Sequence, residues 1–268
     1  MLTLVPTPIG NIGDISLRAM EALSKADVLL CEDTRVTKKL LNILDTRYDL
    51  ARRDQEFISL HSHNEQEFVE KLEPSFFEQN VVYVSDAGMP GVSDPGQTLV
   101  RYCIDYDVKY EVLPGANAVL TAFVASGFVK TQMLFFGFLN HKGNERSAQL
   151  QEALHNGYTT VLYEAPTRLS KLLDEIALEA PERQLFLAKE LTKKYQKFFH
   201  GSASELKQMV GEIRGEWVVV IEAGKKHTST LSEREILAFG LPMKVASKLI
   251  SKITGESPKA CYNRLLEL

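Results

Sequence analysis

The chain is poor in the residues that build metal and disulfide centres. Its 268 residues hold only three cysteines, Cys31, Cys103 and Cys261, far apart, odd in number and without a CxxC pair. A disulfide framework or thiolate zinc site is disfavoured, and a reducing cytosol fits. HExxH and HxxxH are absent. His61-Ser62-His63 alternates along an extended segment, which alone makes no metal site, so no metal is expected. No GxGxxG opens a helix and no GxxxxGK[ST] occurs, which argues against an ordinary Rossmann cofactor site and a P-loop. Without GxSxG, an α/β-hydrolase is disfavoured too. Apolar stretches such as Met133–Leu139 are far too short to span a bilayer. The segment MLTLVPTPIGN has no basic n-region and carries Pro6 and Pro8, unlike a secretory signal. A cytoplasmic protein without membrane contact is the expectation. Excess charge of one sign is also lacking: the formal net charge is −4. Any nucleic-acid contact must therefore be a local patch.

The composition is that of a globular protein, with 44% hydrophobic and 25% charged residues, and the length suits two domains, or one with an appendage. Short apolar runs alternate with amphipathic ones. Leu2–Pro6, Val28–Cys31, Phe57–Leu60, Val81–Ser85 and Tyr110–Leu113 read as strands. Between them lie helices capped by Ser16, running from Thr34 to Leu44, capped by Asn64 and reaching Phe76, and near Gln97–Ile104. A further helix after Gly115 stops at Gly127. This alternation predicts a largely parallel sheet with helices on both faces. A second α/β block follows. Its strands are Leu134–Gly137, Thr159–Tyr163, Gln184–Lys189, Gln196–His200 and Glu216–Glu222, and its helices lie near Glu145–His155, Thr167–Glu179 and Ser202–Glu212. The expected division is 1–129, 130–226 and 227–268. Lys225–Thr230 reads as a linker, and Leu231–Leu268 as about three short helices with Lys244, Lys248 and Lys252 on one face. That face is either a solvated surface or a helix-turn-helix-like module touching phosphate.

Three Gly/Pro-rich loops follow predicted strands: Pro6–Asn11, Asp86–Gly96 and Pro114–Ala118. Parallel sheets bind ligands at the carboxyl ends of their strands, so the three loops share one crevice and outline a binding site. Charged groups sit at strand ends as well: Asp33-Thr34-Arg35, Glu164 to Arg168, and Lys189-Glu190 to Lys194. Such positions make better functional candidates than charges along helix faces, although a helix cap or a surface ion pair would also account for each.

Read together, TPIGNIGD, CEDTR, HNE, SDAGMPGVSDPG, LPGANA, YEAPTR, KELTK and GEWVVVIE stand in the order of the RsmI family, ribosomal RNA small-subunit methyltransferase I enzymes of the tetrapyrrole methylase superfamily. The chain resembles that family over nearly its whole length. The resemblance implies two α/β domains of the tetrapyrrole methylase type plus a short C-terminal helical segment. It also implies S-adenosylmethionine folded in the cleft, a homodimer, and 2′-O-methylation of a cytidine in the decoding region of 16S rRNA within the small ribosomal subunit. By motif, the cofactor meets Pro8, Ala87, Gly88, Met89, Val92, Asn117 and Ala118, with Leu139, Tyr163 and Ala188 closing from the second domain. The chain departs from the family pattern at Met89 (usually Thr), at Ala116-Asn117 (Pro-Ser), at Thr167 (His) and at Gln196 (near an expected Glu).

Methyl transfer from a sulfonium to a hydroxyl requires alignment and help in removing the hydroxyl proton. Lys189 or Glu190, then Glu164, are the candidates for that help. Asp33, Arg35, Arg146, Arg168 and Lys193 are candidates for RNA contact, with Tyr195 and Phe198 either stacking faces or core. The rival readings are a tetrapyrrole or other small-molecule methyltransferase of the same superfamily, and a non-catalytic RNA-binding paralogue.

Overall fold

Aliphatic runs become strands where both of their faces find cover. In the first half, β1 (Leu2–Leu4), β2 (Val28–Cys31), β3 (Glu56–Ser59), β4 (Val81–Val84) and β5 (Tyr110–Val112) form one sheet in the order β3-β2-β4-β1-β5, and every neighbouring pair is parallel. The structure, a computed structural model, describes residues 1–209, 213–225 and 233–266.

Helix ends follow local chemistry. Ser16 caps α1 (Leu17–Lys25), its hydroxyl accepting from the Ala19 N–H at 3.0 Å. Asp33 caps α2 (Thr34–Tyr48) by accepting from Arg35 N–H. The next helix is shorter than expected. α3 (Glu65–Glu70) ends before Pro74, which opens a 3₁₀ turn, Pro74–Glu78, and Glu73 ahead of that proline is extended, so no helix continues through to Phe76. Asn64 does not cap it. Its Oδ1 accepts from His61 N–H and its amide donates to the Ser59 carbonyl, tying β3 to α3. α4 (Gln97–Asp105) and α5 (Ala118–Ala125) complete this half.

The second sheet contains β6 (Met133–Phe138), β7 (Thr159–Glu164), β8 (Gln184–Lys189), β9 (Lys197–Ser202) and β10 (Trp217–Ile221), in the order β6-β7-β10-β8-β9. Only β6 and β7 pair in parallel; β10 runs antiparallel between β7 and β8, and β9 antiparallel to β8. α6 (Gly143–His155), α7 (Pro166–Glu179) and α8 (Ala203–Met209) accompany it. The end of the expected helix to Glu212 lies outside the described residues.

Both faces of both sheets are covered. On the first sheet, Leu2, Leu4, Leu30 and Tyr83 pack on one side, and Leu29, Cys31, Val82 and Val84 on the other, as strand alternation requires. One face of the second sheet packs against α6, α7 and α8 through Leu150, Leu172 and Leu206. Its other face, Val161, Phe186, Ala188, Val218 and Val220, receives Val119 and Ala122 of α5. That helix belongs to the first half by sequence, and Met1–Gly224 forms one compact unit.

The second unit, Lys225–Leu268, contains α9 (Glu233–Ala238), α10 (Met243–Thr254) and α11 (Pro258–Leu266) around Ile236, Ala246, Ile250, Cys261 and Leu265. Arg264 bridges Glu233 and Glu256. Lys244, Lys248 and Lys252 are exposed. Of the expected linker, all but Lys225 lies outside the described residues. Among the described residues no helix is long and apolar enough to cross a membrane.

Candidate active site

The first and third Gly/Pro-rich loops follow β1 and β5, and the second follows β4. Thr7 and Gly88 form an antiparallel bridge, with Thr7 N–H donating to the Gly88 carbonyl at 2.9 Å and Gly88 N–H to the Thr7 carbonyl at 3.0 Å. Gly88 sits at φ +86°, a conformation that favours glycine. The first loop is also fastened to the loop after β8. Asn11 N–H donates to Thr192 Oγ1 at 3.1 Å. A Cβ on Gly10 would lie 2.4 Å from Lys193 Cγ and 2.9 Å from the Leu191 carbonyl. Glu190 and Thr192 adopt positive φ there, 52° and 62°. For a β-branched residue such as Thr192 that is a strained conformation, and it is held by its N–H, which donates to Gln196 Oε1 at 2.6 Å.

These loops enclose a cleft of about 420 Å³, within the size range of small-molecule sites. Its first-half wall contains Ile9, Ala87, Gly88, Met89, Val92, Asn117 and Ala118. Its second-half wall contains Phe138, Tyr163, Glu164, Ala188, Leu191, Trp217 and Val218. Asn117 caps α5, its Oδ1 accepting from Leu120 N–H at 3.0 Å. A serine would make the same bond, so this departure from the family motif preserves the cap.

One wall is acidic. Glu32, Asp86 and Asp94 line the cleft, and burial holds all three carboxyls above their ordinary range. Burial also pushes the Tyr163 hydroxyl up to about 12. Opposite lies a charge-compensated group. Arg168 Nε stands 2.9 Å from Glu164 Oε1, and Arg146 Nη2 stands 3.6 Å from Glu164 Oε2 and 2.8 Å from Glu175 Oε2.

The structure brings together in this cleft Ala87, Gly88, Met89, Val92, Asn117, Ala118, Tyr163, Ala188 and Glu164 from the sequence candidates. Others fall elsewhere. Ile9 lines the cleft in place of its neighbour Pro8. Leu139 is buried in the core under α6 and α7, and its carbonyl accepts from Arg168. Arg146 is corrected outright. It is 2% exposed, in an ion pair between α6 and α7, and cannot grip an external phosphate. Arg168 is turned inward to Glu164 and the Leu139 carbonyl. Lys193 pairs with Glu190 and Glu216. Arg35 is exposed and forked onto Asp33. Glu190 accepts from Glu216 N–H at 2.8 Å. Burial alone would raise its carboxyl, but that N–H and Lys193 outweigh it and hold the group low, which suits a fastener of this loop better than a proton acceptor. Lys189 Nζ lies 5.4 Å from the centre of the Trp217 ring. Sequence reasoning missed Glu32, Asp86, Asp94 and Trp217 as cleft residues. CEDTR and the SDAGMPGVSDPG loop contained the three acids, but nothing in the spacing showed that β2 and β4 are neighbours.

The profile of the tetrapyrrole (corrin/porphyrin) methylases matches residues 1–207. The ribosomal RNA small subunit methyltransferase I of Campylobacter fetus subsp. fetus is 42% identical over 99% of this chain and 100% of its own length. The protein of the same name from Bacillus subtilis (strain 168) is 40% identical, over 83% of this chain and 75% of its own.

The chain belongs to the RsmI family of tetrapyrrole methylases.

Solved structures agree on the fold: diphthine synthase superposes with a TM-score of 0.63 at 15% identity, covering 84% of this chain and 91% of that one. The methyltransferase CobJ gives 0.59 at 17%, covering 83% and 94%. As a member of the RsmI family the chain is an enzyme, a methyltransferase that draws on S-adenosylmethionine. The cleft suits that cofactor. Tyr163, Ala188 and Val218 offer apolar surface to a flat base, and small residues at Ala87 and Gly88 let backbone approach.

Proposed function

We propose that this cleft methylates the 2′-hydroxyl of a cytidine in the decoding region of 16S rRNA, presented by the small ribosomal subunit, and that the protein works as a cytoplasmic homodimer. The observation that carries the reading is the 42% identity over essentially full length to a protein named for the small-subunit ribosomal RNA it methylates. The family motifs that line the cleft, in family order though altered at Met89 and Asn117, support it.

The cofactor, when bound, supplies an activated methyl carbon. The chain's own task is to align the hydroxyl, exclude water and take up a proton. We assign Ala87, Gly88, Met89, Val92, Asn117, Ala118, Tyr163 and Ala188, with Ile9 at the place expected for Pro8, to holding the cofactor. Exposed Arg35, where α2 leaves the sheet edge, is the favoured phosphate contact, followed by Lys193 and Arg168 once their carboxylate partners let go. Phosphate contacts fix position without reading bases, so specificity rests on the subunit surface and an extruded nucleotide.

The test incubates the protein with methyl-labelled S-adenosylmethionine and small subunits from cells lacking its gene. Label in one alkali-resistant cytidine dinucleotide is the expected result. Label on a base atom, or none on any RNA while the cofactor binds, would overturn the reading and favour a small-molecule acceptor.

A further inference from the structure

Resting on the ribose reading above, we propose that the Glu32–Asp86 carboxylate pair is the proton acceptor of the methyl transfer. The hydroxyl oxygen forms its bond to the methyl carbon as the carbon–sulfur bond breaks and its electron pair remains on sulfur. The hydroxyl proton passes to a carboxylate oxygen of the pair. The products are the methyl ether, a neutral thioether and one protonated carboxyl, which returns its proton to water.

Geometry carries the proposal. Glu32 follows β2 and Asp86 follows β4, and these strands are neighbours, so both side chains reach the cleft from one sheet edge. Glu32 Oε2 accepts from Asp86 N–H at 3.1 Å, and Asp86 Oδ1 accepts from Asp33 N–H at 3.1 Å. One oxygen of each carboxylate is thereby fixed in place. Glu32 Oε1 and Asp86 Oδ2 accept from no donor among the described residues, and neither residue enters an ion pair there. A second observation marks the spot. Tyr83 is wholly buried, its hydroxyl has no hydrogen-bond partner among the described residues, and it faces Glu32, Asp94, Glu65 and Asp86. Buried polar groups are nearly always satisfied, and this unsatisfied hydroxyl stands beside the carboxylates Glu32, Asp86 and Asp94 that line the cleft.

The electrostatics agree. Burial, followed by the backbone bond and by neighbouring Asp94, His61 and Asp33, sets Glu32; burial, Glu32, Asp33 and Arg35 set Asp86. Across the cleft stand Glu164, Tyr163 and Glu216. Both carboxyls hold protons more tightly than usual, as a base working near neutral pH needs. The candidates of the opposite wall are less suited. Glu190 is occupied by Glu216 N–H and Lys193, and Glu164 by Arg168 and Arg146.

The experiment compares the wild-type enzyme with Glu32→Gln, Asp86→Asn, their double variant and Lys189→Ala. Each amide keeps an oxygen for the N–H its carboxylate now binds. At saturating cofactor and subunits, single-turnover methyl transfer by the double variant should fall about 10²–10⁴-fold, the usual contribution of a general base. Cofactor affinity measured by calorimetry should change no more than roughly tenfold, which separates binding from chemistry. A third reading needs neither cofactor nor RNA. Groups with raised folded-state proton affinity make stability fall as pH rises from the ordinary carboxylate range through their raised values. The double variant should flatten that fall and melt no lower than wild type at pH 7. Should the double variant not fold, Asp86→Asn alone supports the same readings. Transfer within about threefold of wild type in the double variant, or loss only in Lys189→Ala, overturns the proposal. A wild-type product that is alkali-labile, methylated on a base, overturns the ribose reading instead, and the pair's role falls with it.

Discussion

Replacing Arg146 by alanine separates two accounts of that residue. A phosphate-gripping arginine could be removed at almost no cost to folding. The structure instead puts Arg146 at 2% exposure, with Nη2 2.8 Å from Glu175 Oε2, Nη1 donating to the Asn140 carbonyl at 3.1 Å, and Nη2 3.6 Å from Glu164 Oε2. Removing one partner of a buried pair costs about 3–5 kcal/mol because it strands the other charge. Glu175 keeps some water, its side chain being 28% exposed, and Glu164 keeps Arg168, so the lower end, about 3 kcal/mol, is expected. For a unit of this size, about 3 kcal/mol lowers the melting temperature by roughly 6–12 °C. Thermal and urea unfolding measure this directly. The double substitution Arg146→Met with Glu175→Met, which swaps the pair for apolar groups, should recover most of the loss. The reasoning is refuted if Arg146→Ala melts within about 2 °C of wild type while its RNA affinity loses roughly 0.7–0.9 of a unit of salt slope, the signature of one phosphate contact.

Three further outcomes follow from the same geometry. Gly10→Ala forces a Cβ against the Leu191 carbonyl and Lys193; it should cost about 1–3 kcal/mol and weaken cofactor binding, and an unchanged urea midpoint would count against the fastening of the two loops. Asn117→Ser should keep the α5 cap and Asn117→Ala should lose about 1 kcal/mol, a difference that chemical denaturation resolves; equal stability of the two would dismiss the cap. The Cys31 and Cys103 thiols, each pushed by burial to about 11, should resist alkylation in the native protein at pH 8 and react on denaturation. A fast native equivalent from either one would contradict their burial.

The strands of the first sheet were legible because their apolar runs are short and bounded by Gly, Pro and polar clusters, and strand–helix alternation leaves few topologies other than a parallel sheet. The mixed second sheet was not, since nothing local to Trp217–Ile221 says that this strand inserts between β7 and β8 in the opposite direction. Asn64 misled for a similar reason: an Asn before an amphipathic run suggests a cap, yet here it serves the turn before the helix. Arg146 lies on a helix whose sequence reads as polar, and its burial depends on Glu175, 29 residues away. The cofactor-facing loops, in contrast, carried their signal in glycines and small residues, whose purpose is local. The acid wall needed strand order, and strand order is a property of the whole sheet.

That strand order also bears on how the molecule comes into being. β1 lies inside its sheet, between β4 and β5, so its partners Val81 and Tyr110 come 79 and 108 residues after Leu2. At about 5–20 residues per second of synthesis, β1 waits roughly 5–20 s for its second neighbour. Until β4 is made, Leu2, Leu4 and Val5 have no strand partner, a natural foothold for whatever guards nascent chains. β2 and β3, whose paired residues Val28 and Glu56 lie 28 apart, are both made before β4, which joins β2 to β1 and links the two parts of the sheet.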